Sequence, residues 1–174
     1  MSAPCFALFA TALGHCAVIW SEQGIVRLLL PHASEAALRD DVFAAHPNAI
    51  EKPPDANAST AILGIQRLLE GGTPDFSAVI LDMENVPAFH RDVYAHTRRI
   101  PPGKTLSYGD IAARVGKPSA ARAVGQALGR NPWALIVPCH RVLAANGRLT
   151  GFSAPGGIAT KRRLLEIEGA LGHR

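Results

Sequence analysis

The chain opens with short apolar runs separated by turn residues. Phe6, Leu8, Val18, Ile19, Trp20, Val26, Leu28 and Leu30 lie in runs broken at Gly14-His15 and Gln23-Gly24, which predicts β-structure over residues 5–30. The period then lengthens. Leu38 and Val42, four apart behind Ser34, predict a capped helix to about Ala45, stopped by Pro47. Residues 47–56 are proline-rich and read as a loop. Ile62, Ile65 and Leu69 predict a helix over 58–70 that ends at Gly71-Gly72. Val79-Ile80-Leu81 reads as a short strand. Together these elements predict a small α/β domain, a β-sheet with helices, over residues 1–86. No motif in it carries chemistry. Cys5 and Cys16 have no CxxC or Cys/His partner and read as packing residues.

Residues 87–174 predict a mainly α-helical domain. Pro87 suits the first position of a helix running to about Arg98, and Ile100-Pro101-Pro102-Gly103 breaks it. Ser107 and Asp110 have the spacing of a capping box ahead of Tyr108 to Val115. Gly116-Lys117-Pro118 is a turn, and Ser119 is placed to cap a helix from Ala120 to about Gly129. Two short helices around a glycine-containing turn fit a helix-turn-helix. The second helix, Ala120-Ala121-Arg122-Ala123-Val124-Gly125-Gln126-Ala127, has few long polar side chains for reading base edges in a major groove. Its small residues fit either close approach to a minor groove or helix-on-helix packing. A last helix is predicted from about Gly157 to Glu168.

Composition narrows the classes. At 174 residues, 48% hydrophobic and 18% charged, the chain is neither disordered nor collagen-like. No apolar run reaches the roughly 20 residues of a membrane span, so no membrane partner is expected. Met1-Ser2-Ala3-Pro4-Cys5 has no basic region of a signal peptide, and three cysteines make a poor disulfide framework. A reducing, cytoplasmic location is the expectation. The net charge of +4 hides an asymmetry: residues 1–90 hold 4 basic and 10 acidic side chains, and residues 91–174 hold 14 and 4. A basic half of this kind suits a polyanion such as nucleic acid.

The candidate chemistry lies in Pro138-Cys139-His140-Arg141. A cysteine beside an imidazole and cations is a candidate thiolate nucleophile, its pKa expected to fall under those charges. Adjacent residues do not face each other on a helix or strand, so His140 is expected to act through a water. It needs a partner to fix its tautomer. Glu168 falls three and four residues after Leu165 and Leu164, on the apolar face of the last helix, and is preferred to Glu166. Asn146-Gly147 predicts a hairpin turn. Residues 150–157 form a glycine-rich loop without phosphate-loop spacing, better suited to shaping a pocket.

Pro138-Cys139-His140-Arg141-Val142, preceded by Asn131-Pro132 and by Ala120 to Gly125, resembles the O6-alkylguanine-DNA alkyltransferases over about Phe89 to Gly169. The resemblance implies direct-reversal repair of duplex DNA: after base flipping, Cys139 takes the alkyl group from O6-alkylguanine, and from O4-alkylthymine if that too is a substrate. His140 would act through a water, Glu168 would orient it, and Asn131 would link the recognition helix to the cysteine segment. Tyr108 would press on the backbone phosphate, Arg122 would replace the flipped base, and Val142 and Ser153 would line the guanine pocket. Tyr108, Gly109, Lys117, Ala121, Arg122 and Gly125 form the implied DNA-binding set. The implied protein is a monomer needing no cofactor or metal. Two departures stand out. Ala154-Pro155 intervene before the Gly-Gly pair, and Phe152 replaces a frequent tyrosine. Three rival readings are a lesion binder that does not repair, a sequence-reading helix-turn-helix protein, and a cysteine hydrolase using Cys139, His140 and Glu168.

Overall fold

The computed structural model describes residues 2–171. Met1 and residues 172–174, the outermost positions of the two expected domains, lie outside the described residues. The chain forms two compact units. The first runs through Glu84 and takes in Pro132–Ala134; the second comprises Asn85–Asn131 and the chain from Leu135 onward.

In the first unit, β1 (Cys5–Thr11), β2 (Gly14–Ser21) and β3 (Gly24–Leu29) form an antiparallel meander, with turns at the two glycine-containing breaks. A two-residue strand, β4 (Ile50–Glu51), adds parallel to β1, giving the order β3-β2-β1-β4. The proline-rich segment is therefore not wholly loop. Period-two alternation buries both faces of the sheet. Phe6, Ala17 and Ile19 pack against Leu38 and Val42 of α1 (Glu35–Ala45), whose first turn is capped by Ser34. The second helix, α2 (Ala56–Leu69), is capped by Asp55 and packs on β1, β2 and β3. Val79–Leu81 falls short of the expected strand, making a single bridge from Leu81 to Ile25. Gly24 sits at φ 143, and a Cβ there would lie 2.6 Å from the Ile80 carbonyl, so only glycine lets that segment approach β3. Trp133 packs into this unit, its indole N–H donating to the Ile25 carbonyl at 2.6 Å.

The second unit is mainly helical. Its helices are α3 (Ala88–Thr97), α4 (Tyr108–Arg114), α5 (Ala121–Gly129) and α6 (Gly157–Ile167). A two-stranded parallel ladder joins β5 (Leu106–Ser107) to β6 (Val142–Leu143). Helices α3, α4 and α5 pack on one another. The capping box forms as expected: Asp110 N–H donates to Ser107 Oγ, and Ser107 N–H to Asp110 Oδ2. Two expected caps differ. Pro87 sits at the N-cap, one position earlier than predicted. Ala120, not Ser119, caps α5, which has no side-chain cap bond. Asn146-Gly147 does make a turn, with Gly147 at φ 78, but no second strand follows, because β6 pairs with β5 instead. Among the described residues no helix is long and apolar enough to cross a membrane.

Candidate active site

The site is built on a backbone device at Pro138. Its φ of −79° and ψ of 67° make an inverse γ-turn, closed by Cys139 N–H donating to the Val137 carbonyl at 2.8 Å. The proline ring fixes φ in the required range. A single 3-10 turn, Cys139–Arg141, follows directly and feeds β6. Asn131 Nδ2 donates to the same Val137 carbonyl at 2.8 Å, tying the end of α5 to the cysteine segment. Upstream, buried Leu135 holds φ 73, the one positive φ outside glycine among the described residues. A left-handed leucine costs roughly 1–2 kcal/mol, and here it turns the chain back toward the cysteine.

Cys139 is partly exposed on a cleft. Gly125, Leu128 and Gly129 of α5 form one side, and Gly151, Phe152 and Ser153 form another. Tyr108, the first residue of α4, closes it. Of the expected pocket residues, Tyr108 and Ser153 reach this cleft. Val142 does not: its side chain is fully buried in β6 and its carbonyl is taken by Lys161. Phe152 and Gly151 stand on the wall instead. The inserted Ala154-Pro155 is folded onto α6. Thr160 Oγ1 donates to the Pro155 carbonyl at 2.6 Å, and Gly157 N–H to that of Ala154 at 3.0 Å.

Behind the cysteine lies a buried polar chain. His140 is 0% exposed, and its Nε2 meets Glu168 Oε1 at 2.7 Å. Arg141 donates to both oxygens of Glu168, Nε to Oε2 at 2.9 Å and Nη2 to Oε1 at 2.8 Å, and its Nη1 donates to the Ile100 carbonyl at 2.6 Å. Burial alone would raise the Glu168 carboxyl, but hydrogen bonds and charge from His140 and Arg141 outweigh it and bring the pKa to about 2. Glu168 is thus ionised and carries no proton to share, so Nε2–H of His140 donates to it. Burial lowers the His140 pKa; Glu168 opposes that, and the Arg141 and Lys161 charges add to it. The imidazole is therefore neutral, and its Nδ1, buried without a hydrogen bond, is the basic atom.

The thiol departs from expectation. Burial pushes the Cys139 pKa up, and opposition from the Asn131 hydrogen bond, the Lys161 charge and nearby backbone N–H groups does not reverse it. The cations in the motif do not lower it, because Arg141 is committed to Glu168 and His140 is neutral. At rest the cysteine is a thiol.

The sequence reading missed two residues. Arg141 holds the carboxylate in place. Lys161 is 1% exposed and donates from Nζ to the carbonyls of Val142, at 2.9 Å, and Thr150, at 3.2 Å. Its position, three, four and seven residues before Leu164, Leu165 and Glu168, puts it on the same helix face. That spacing was the available clue.

The expected DNA-binding residues spread along α4, the turn and α5. Gly109, Lys117 and Arg122 are exposed, and Ala121 and Gly125 are half-buried. Lys117 Nζ lies 5.3 Å over the Phe89 ring. The two openings left for the small residues of α5 are divided between its faces. Val124, Ala127 and Leu128 pack inward, with Tyr94 Oη donating to the Ala127 carbonyl at 2.7 Å, while Gly125 lines the cleft. Among the described residues no three His, Cys, Asp or Glu side chains converge as a metal site.

Residues 88–170 match the family described as 6-O-methylguanine DNA methyltransferase, DNA binding domain. A methylated-DNA–protein-cysteine methyltransferase of Mycobacterium bovis is 46% identical over 70% of this chain and 72% of its own length. One from Methanothermobacter thermautotrophicus is 34% identical over 87% of this chain and 78% of its own. Among solved structures, Mycobacterium tuberculosis OGT in complex with DNA superposes with a TM-score of 0.76 at 34% identity, covering 95% of this chain and 93% of that one. The O6-methylguanine-DNA methyltransferase of Pyrococcus kodakaraensis gives 0.72 at 28% identity, covering 94% and 99%.

Proposed function

Because the chain belongs to the methylated-DNA–protein-cysteine methyltransferase family, we propose that it repairs O6-alkylguanine in duplex DNA by moving the alkyl group irreversibly onto its own Cys139. The observation that carries the reading is a cleft cysteine backed by the chain His140–Glu168–Arg141. A thiol of raised pKa needs a base at the moment of attack, and His140 Nδ1 is the free basic atom. A water between Nδ1 and the sulfur passes the proton. The thiolate then attacks the alkyl carbon. The S–C bond forms, the C–O6 bond breaks, and the guanine keeps that electron pair and takes up the proton the thiol gave. The product thioether is stable, so one protein repairs one lesion. The chemistry asks for no metal or cofactor.

The lesion lies inside the duplex, so the base must leave the stack to meet Cys139. In this reading residues 87–174 are the DNA-binding and transfer domain and 1–86 a supporting α/β domain. Tyr108, Gly109, Lys117, Ala121, Arg122 and Gly125 meet the DNA, Arg122 filling the vacated position. Tyr108 and Ser153 hold the extruded guanine, and Asn131 keeps the cysteine segment registered on α5. The protein acts as a monomer.

Intact-protein mass after mixing with duplex DNA carrying one O6-methylguanine tests this. One added methyl, mapped to Cys139 and absent in Cys139→Ala, is the expected result. DNA binding with no change in mass would refute transfer and favour a lesion binder.

A further inference from the structure

Thr150 opens the glycine-rich loop. Its hydroxyl lies 3.0 Å from the Tyr108 hydroxyl, 42 positions away in the chain. Its carbonyl accepts from the buried Lys161 ammonium at 3.2 Å. The same ammonium stands 5.9 Å over the Tyr108 ring. Gly125 also lies against the ring: a Cβ there would stand 3.8 Å from two ring carbons, an ordinary contact distance. Thr150 is thus fixed at its backbone and free at its hydroxyl to hold Tyr108, which lines the cleft with Cys139.

We propose that Thr150 is a positioning residue for Tyr108, keeping its hydroxyl turned into the cleft so that its one proton is free for an acceptor on the extruded nucleotide. A phenol has a single hydrogen. When Tyr108 donates to the nucleotide, its oxygen still needs a donor, and the Thr150 hydroxyl supplies one. Without that donor the ring keeps its neighbours Gly125 and Lys161, but the direction of its proton is no longer set. The effect falls on the bound nucleotide rather than on affinity for DNA at large.

The inference rests on the alkyl-transfer reading, and single-turnover transfer from a duplex with one O6-methylguanine tests both. Thr150→Val removes the hydroxyl at nearly constant shape. It should slow transfer at saturating DNA about fivefold, the worth of one neutral hydrogen bond. Affinity for undamaged duplex should stay within roughly twofold. Thr150→Ser should restore the rate. In a Tyr108→Phe background, Thr150→Val should add nothing, since the partner is gone. An unchanged rate in Thr150→Val, an equal loss with or without the Tyr108 hydroxyl, or no rescue by serine overturns the assignment while leaving alkyl transfer intact. Absence of transfer by the unsubstituted protein overturns both.

Discussion

In the first unit the largest fully buried side chains are Trp133, Phe6, Ile19, Ile25, Leu38, Ile65 and Leu68; in the second, Lys161 and His140 lie as deep as Tyr94 and Ile111. Among the described residues the buried polar or charged residues, Thr97, His140, Arg141 and Lys161, all belong to the second unit, as does Glu168, whose side chain is 2% exposed. The first unit keeps its ion pairs at the rim. Arg39 and Glu51 meet at 3.1 Å with side chains 39% and 50% exposed. The same pairing chemistry therefore serves different ends. At the rim it is screened by water and worth little. In the interior it fixes which atom of His140 is basic, and its loss strands charge.

The sharpest way to break that contrast is to remove one buried partner. Glu168→Ala leaves Arg141 unpaired and His140 without its acceptor, and should cost about 3–5 kcal/mol in urea unfolding. A loss under 1 kcal/mol would mean that the buried chain matters no more than a surface pair.

Lowering pH probes the same chain without mutation. His140 is held below its ordinary 6.5, so the unfolded chain takes up that proton first, and stability begins to fall below about pH 6.5. Glu168, at about 2 against an ordinary 4.5, contributes stability above pH 4.5 that is lost as pH falls toward 2. Thermal midpoints from pH 7 to 3 should show both declines, and Glu168→Gln should flatten the lower one.

Methylation of Cys139 adds a carbon beside the Asn131–Val137 hydrogen bond. Packed sites tolerate added methylenes poorly, at roughly 1–3 kcal/mol. The midpoint of the methylated protein should fall; an unchanged one would show that the cleft absorbs the group. Smallest is Glu51→Ala in the first unit, expected to cost below about 1 kcal/mol. A larger loss would show that the rim pair shares in the core.

Local signals made much of this legible. The glycine-marked turns of the meander, the Ser34 cap, the Ser107–Asp110 capping box and the choice of Glu168 over Glu166 all rest on spacings of a few residues. What stayed hidden depends on distant partners. The strand β4 is two exposed residues in a proline-rich stretch, and only β1 makes it a strand. The pairing of β5 with β6 joins positions 36 residues apart. Lys161 sits in Lys161-Arg162-Arg163, which reads as a solvated run until two carbonyls claim its ammonium. The raised Cys139 pKa was misread for the same reason. The neighbouring cations are visible in the motif, but not that Glu168 has already claimed Arg141.

The reach from Cys139 to Glu168 also orders events during synthesis. Glu168, which meets His140 Nε2, is translated 29 residues after Cys139. At about 5–20 residues per second that is a delay of roughly 1–6 s. Through that interval the His140–Glu168–Arg141 chain is incomplete, and His140 has no acceptor for its Nε2–H.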